Sequence, residues 1–198
     1  MHQYLKASEY IDWQHPAILT RAEQLAAGAP DEESLARRCY VFVRDQIRHS
    51  WDFRENPVTC RASDVLQYAT GFCYAKSHLL AALLRANGIP AGLCYQRLRL
   101  ENGGFCLHGL NAVYLQRHGW YRADPRGNTG EIAAEFLPPQ ERLAFSIAAE
   151  GEADLPGVWA EPLPPVVGAL EGAGSYRELA ENLPDAEAKD LEEVICDY

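Results

Sequence analysis

Residues 71–90 read Gly71-Phe72-Cys73-Tyr74-Ala75-Lys76-Ser77-His78-Leu79-Leu80-Ala81-Ala82-Leu83-Leu84-Arg85-Ala86-Asn87-Gly88-Ile89-Pro90. Leu79, Leu80, Leu83 and Leu84 recur at helical spacing with alanines filling the gaps, and Asn87-Gly88 followed by Pro90 is a helix stop. The spacing predicts a central helix with Cys73 in its first turn, just after a glycine bend. Unpaired backbone N–H groups and the positive end of the helix dipole favour a thiolate at that place, which makes the sulfur a better nucleophile. A helix-head cysteine taken alone is more often a packed small residue, so the chemistry of Cys73 depends on whether a base reaches it.

Downstream the hydrophobic period changes from 3.6 to 2. Residues 91–100 read as a strand, Glu101-Asn102-Gly103-Gly104 as its turn, and residues 105–115 as a second strand. His108 and Cys106 share one face of that second strand. If Gln116-Arg117-His118 is a three-residue hairpin loop, Leu115 faces Gly119 and Leu110 faces Asp124, which puts Asp124 on the His108 face. The diagonal is about 7–8 Å between backbones, short enough for the two side chains to meet. One residue of slip would carry Asp124 to the other face. In this arrangement His108 deprotonates Cys73 and Asp124 orients the imidazole. The Cys73 N–H stabilises an oxyanion, with the Trp51 indole as a candidate second donor.

Upstream, Pro16 opens a first helix that Gly28-Ala29-Pro30 ends, and Asp31 caps a second whose apolar stripe is Leu35, Cys39, Phe42, Val43 and Ile47. Residues 49–57 break the pattern and carry Trp51 and Phe53 toward the nucleophile segment. Ser63 starts a short helix. After residue 128 the signal weakens into prolines and scattered acids, with residues 145–147 a candidate strand and residues 175–183 a short helix. The reading is a single domain over residues 1–198, made of an N-terminal helical part (1–62), a catalytic core (63–128) and a proline-rich wrap with an acidic tail (129–198).

Eighteen Lys+Arg against 28 Asp+Glu leave a net charge of −10, which disfavours nucleic acid or an anionic membrane as partner. No apolar run is long enough for a transmembrane helix and the first residues lack a secretion signal's apolar core, so a cytoplasmic location is expected. The six cysteines have no CxxC spacing, which suggests free thiols rather than a disulfide framework or a zinc knuckle. A metal site at Cys73, Cys106 and His108 lacks a fourth ligand, and no metal is expected. His78 points about 140° away from Cys73 around the helix and reads as structural. His49 and His118 read as solvated loop or turn residues, and His2 and His15 belong to a weakly patterned arm.

The order Gly71-Phe72-Cys73, Asn87-Gly88-Ile89-Pro90-Ala91, His108-Gly109-Leu110-Asn111-Ala112-Val113-Tyr114-Leu115 and Gly119-Trp120-Tyr121-Arg122-Ala123-Asp124-Pro125 resembles the transglutaminase-like superfamily. Tyr40-Val41-Phe42-Val43-Arg44-Asp45-Gln46-Ile47-Arg48 resembles the helix leading into the catalytic region of its bacterial members. The resemblance implies a papain-like α+β fold with a Cys73, His108, Asp124 triad that works without metal or organic cofactor. It also implies cysteine-dependent acyl transfer on an amide or peptide bond of a peptide, protein or small amide, by hydrolysis or transamidation. Ala112 stands where many members carry an acid, and Arg126 where they usually carry a small hydroxyl residue. Substrate preference therefore does not transfer from any one subfamily. Arg97, Arg99, Arg122 and Arg126 surround the site in sequence and either recognise an acidic substrate group or pair with the many carboxylates. Tyr74, like Trp51, is a candidate pocket wall. The rival from another class is a non-catalytic module that keeps the fold to bind a peptide.

Overall fold

A computed structural model describes residues 1–191. Helix α1 (Pro16–Ala26) begins with its proline in the first turn, where a missing N–H costs nothing, and Gly28 at φ 66° turns the chain out of it. Asp31 caps α2 (Glu32–Gln46) by accepting from the Ser34 N–H at 2.8 Å, and Ala36, Cys39, Tyr40 and Val43 form its buried stripe. A two-residue strand β1 (Arg48–His49), one turn of helix α3 (Ser50–Phe53), helix α4 (Ala62–Tyr68) and a second short strand β2 (Thr70–Gly71) follow. β1 and β2 pair in parallel, His49 opposite Gly71. Helix α4 starts at Ala62, one residue before the expected Ser63, and no side chain of its own segment caps it. Instead Asp12, from the N-terminal arm, accepts the Ser63 N–H at 3.0 Å.

Helix α5 (Cys73–Ala86) runs through the centre, and every residue from Cys73 to Arg85 is buried. Such a helix must satisfy its polar side chains internally. Lys76 donates to the carbonyls of Ile47 and Arg44, Ser77 to that of Cys73, and Arg85 to those of Ala91, Lys6 and Ala160. The sheet under α5 is the antiparallel meander β3 (Ala91–Arg99), β4 (Phe105–Leu115) and β5 (Gly119–Ala123). β6 (Glu135–Leu137) and β7 (Gln140–Arg142) form a separate hairpin, and β8 (Ala153–Asp154) extends the outer edge of β3. α6 (Pro164–Gly172) and α7 (Tyr176–Glu181) follow, with Leu163, Val166, Leu170 and Leu179 buried in the core that α5 shares. The architecture is α+β, a cysteine-bearing central helix on an antiparallel sheet, with helices α1, α2 and α4 against its other sides.

Two expectations are corrected. Residues 145–147 are irregular rather than a strand; their part is to bring Phe145 edge-on to His108, ring centroids 4.9 Å apart. Helix α6 stands where the prolines suggested only a wrap, because Pro164 and Pro165 occupy its first turn, where proline opens a helix. The expected acidic terminal segment from 185 onward lies partly outside the described residues. Its visible part includes a single 3-10 turn at Ala188–Leu191.

Candidate active site

β5 stops short of β4, and the site occupies the gap. Leu115 pairs with Gly119 and Asn111 with Ala123, so the ladder ends one pair before Leu110 and Asp124. Pro125 cannot donate to a continued ladder. Two β4 N–H groups are left on that edge. Leu107 donates to the Pro184 carbonyl at 2.7 Å, and Gly109 donates to the Cys73 sulfur at 3.5 Å. Gly109 is glycine for a steric reason: a Cβ there would lie 2.9 Å from Tyr74 Cδ1 and 3.0 Å from Tyr74 Cα. Its absence lets the head of α5 rest on the strand.

The hairpin register places Asp124 beside His108, with Asp124 Oδ2 2.8 Å from His108 Nε2. The wholly buried carboxylate also accepts from the backbone N–H of Arg126 (3.1 Å) and of Ala144 (2.9 Å). Burial alone would raise the Asp124 carboxyl. The His108 charge and these donors outweigh burial and hold it below its ordinary value. With Nε2 committed to Asp124, Nδ1 is the ring nitrogen left for sulfur.

Cys73 is 7 % exposed, at the first position of α5. Burial alone pushes a thiol up, as it does for Cys39, Cys60, Cys94 and Cys106, each to about 12. At Cys73 the charge and hydrogen bond of His108, and then those of His49, reverse the direction and bring the thiol below its ordinary value. Burial likewise opposes protonation of His108, and the Asp124 and Cys73 charges overcome it, raising its pKa. Thiolate and imidazolium hold each other in their charged forms.

These residues open into a cleft of about 1070 Å³ whose walls include His49, Trp51, Tyr74, Cys106, Phe145 and Leu183. Trp51 is 49 % exposed on α3 with its ring 6.3 Å from that of Tyr176. From that segment the group that acts on the thiol is His49, which the sequence reading left solvated and the structure buries against the same cleft. Tyr74 does more than wall the pocket, since its hydroxyl donates to the Leu107 carbonyl and ties α5 to β4. Of the arginines offered for substrate recognition, Arg97 and Arg122 stand outside the cleft walls. Arg97 is paired with Asp185 at 2.7 Å, and Arg122 with Glu141 (2.7 Å) and Asp154 (2.6 Å). Arg126 lines the cleft, but its guanidinium grips Asp52 through two bonds of 2.8 and 3.0 Å. His78 is structural as expected, its Nδ1 2.8 Å from the Cys60 carbonyl. Sequence reasoning missed His49, Asp52, Gly109 and Phe145. Only the juxtaposition of His49 and Asp52, three residues apart, left a local trace.

Among solved structures, the chain is similar to a candidate cysteine protease from Cytophaga hutchinsonii, with a TM-score of 0.52 and 19 % identity over 62 % of this chain and 40 % of that one. It is also similar to the periplasmic domain of TgpA from Pseudomonas aeruginosa, with a TM-score of 0.46 and 21 % identity over 62 % of this chain and 45 % of that one. The chain thus spans less than half the length of either structure, and the likeness is one of fold. No curated protein matches it. The family model of the transglutaminase-like superfamily matches residues 20–125, more than half of the 198. The match runs from within α1 to the proline after Asp124, and the chain belongs to the transglutaminase-like superfamily.

Proposed function

We propose that the protein is a cysteine-dependent acyl-transfer enzyme that acts on an amide or peptide bond through a thioester. One observation carries the reading: in a cleft open to solvent, a buried carboxylate holds an imidazole that faces a sulfur at a helix head. The Cys73 thiolate adds to the substrate carbonyl carbon, forming the S–C bond as the carbonyl π electrons move to oxygen. When the carbonyl reforms, the C–N bond breaks and His108 gives its proton to the departing amine. His108 then takes a proton from water, whose oxygen displaces the sulfur; an amine in place of water gives transamidation. Asp124 keeps the imidazole in the required orientation and stabilises its cation. The chemistry needs no cofactor.

Small-molecule pockets run to about 1,000 Å³. A cleft of about 1070 Å³, open to solvent, has room for a peptide segment or a protein side chain as well as for a small amide. Hydrolysis is the simpler outcome, because water requires no second recognition site. The candidate protease activity of the C. hutchinsonii protein points the same way.

The test is selective labelling. Iodoacetamide at pH 6, read by peptide mass spectrometry, is expected to modify Cys73 ahead of Cys39, Cys60, Cys94 and Cys106. The protein is then incubated with a peptide library, with and without a primary amine, to separate hydrolysis from transamidation. A Cys73 no more reactive than Cys39, Cys60, Cys94 and Cys106 would instead favour a peptide-binding module that retains the fold.

A further inference from the structure

Two imidazoles line the cleft beside Cys73 and lower its thiol, and the acyl-transfer scheme uses only one. His49 lies on β1 opposite Gly71, two residues before Cys73, with its ring 5.5 Å from that of Phe72. It is 6 % exposed, and the face it does expose lines the same cleft as Cys73. Its Nδ1 is buried without a hydrogen-bond partner and lies 3.6 Å from Asp52 Oδ2. Asp52 in turn is fixed by the Arg126 guanidinium and by the Thr129 hydroxyl at 3.0 Å. Arg126 therefore serves both carboxylates, its side chain holding Asp52 and its backbone N–H holding Asp124. Two His–Asp pairs thus border the cleft that Cys73 lines.

Charge balance shows what the second pair is for. The Cys73 thiolate, Asp124 and Asp52 are three anions; the His108 imidazolium and Arg126 are two cations. Lys76, whose charge burial disfavours, directs its Nζ to the Ile47 and Arg44 carbonyls. That leaves the buried group one charge negative before the oxyanion adds a second negative centre, and an N–H donor beside that oxygen is what the second imidazole can supply. One oxyanion donor is the Cys73 N–H, whose position in the first turn leaves it without an intrahelical acceptor. His49 is positioned to be the other.

The geometry points to His49, backed by Asp52, as a second catalytic imidazole that donates an N–H to the oxygen made anionic when the Cys73 sulfur adds to a carbonyl. The inference rests on the acyl-transfer reading. In the step, the S–C bond forms, the π electrons settle on oxygen, and the His49 proton stays on nitrogen as a hydrogen-bond donor. On collapse the carbonyl reforms and His49 is unchanged, while the leaving group takes its proton from His108 or from solvent.

The experiment compares two reactions of the same sulfur in the full chain. Acylation by p-nitrophenyl acetate passes through an oxyanion, and its leaving group needs no proton; alkylation by iodoacetamide makes no oxyanion. His49→Ala is expected to lower the ratio of acylation to alkylation rates at Cys73 about 100-fold. His49→Gln, which keeps an N–H donor, is expected to recover much of it. Asp52→Asn keeps His49 and removes the carboxylate behind it, so the same ratio should fall several-fold; it decides the matter if His49→Ala does not fold. An unchanged ratio, with both rates falling together, would mean that His49 only packs or tunes the thiolate and would overturn the inference. So would a ratio lowered by Trp51→Phe and untouched by His49→Ala. A wild-type Cys73 that alkylates but is never acylated removes the acyl-transfer reading as well, which distinguishes the two failures.

Discussion

His108, at the head of α5, and His78, in its interior, are both shut away from solvent, at 3 % and 0 % exposure. Their surroundings send them in opposite directions. His108 is flanked by a carboxylate and a sulfur, and their charges raise its pKa against the effect of burial. His78 meets a backbone carbonyl and no opposite charge, so burial prevails and lowers it to about 4. Lys76, one turn along the helix, follows His78. Burial first, and the Arg126 charge next, bring it down to about 7. The helix thus has a head where charges answer charges and an interior where backbone dipoles answer buried donors.

The largest way to break this contrast is to remove the imidazole at the head. His108→Ala should slow acylation of Cys73 by p-nitrophenyl acetate about 10³–10⁴-fold. The pH at which iodoacetamide reactivity rises should also move upward, toward the range of the other buried thiols. If reactivity at pH 6 survives intact, something other than His108 holds the Cys73 thiolate against burial, and the imidazole is not what sets the head apart from the interior.

A substitution in the interior sharpens the contrast through stability. The folded value of Lys76, about 7, lies below its ordinary 10.5. Between those values the unfolded chain holds a proton that the folded chain has lost, so stability rises with pH across that window. The slope from this one group is at most roughly 1.4 kcal/mol per pH unit. Lys76→Met should flatten the rise between pH 7 and 10 and gain most, relative to the parent, at pH 7 and below. Urea unfolding at pH 7, 8 and 9 checks this; parallel curves for parent and variant would show that Lys76 keeps its charge inside the fold.

The smallest effect is spectroscopic. Nitrogen-15 shifts at pH 6 should show His108 doubly protonated and His78 neutral, with its proton on Nδ1 facing the Cys60 carbonyl. The reverse assignment would place the ions in the interior.

Much of the head was legible in the sequence because its rules are local. Asn87-Gly88 and Pro90 bound the helix, a three-residue loop sets the β4–β5 register, and that register carries Asp124 to the face of His108. What escaped depends on remote closure. His49 sits on a strand of two residues whose burial exists only once β2 pairs with it, and no pattern of two residues announces a strand. The arginines were placed near the site in sequence, yet each pairing follows from chain returning from far away, as when Arg126 meets Asp52 across 74 positions. Phe145 belongs to an irregular segment, where neither period applies. The Asp12 cap on α4 shows the same limit from the other side, a cap supplied by the N-terminal arm.

The early end of β5 bears on how the protein ages. A bare strand edge offers its N–H groups to any passing chain, a route to aggregation that proteins block with charges, prolines or covers. Here the covers are the Pro184 carbonyl and the Cys73 sulfur. The sulfur is also the plug of the sheet. A bulky adduct that draws it away from Gly109 would reopen the edge, so that modification of Cys73 and self-association would begin with the same covalent event.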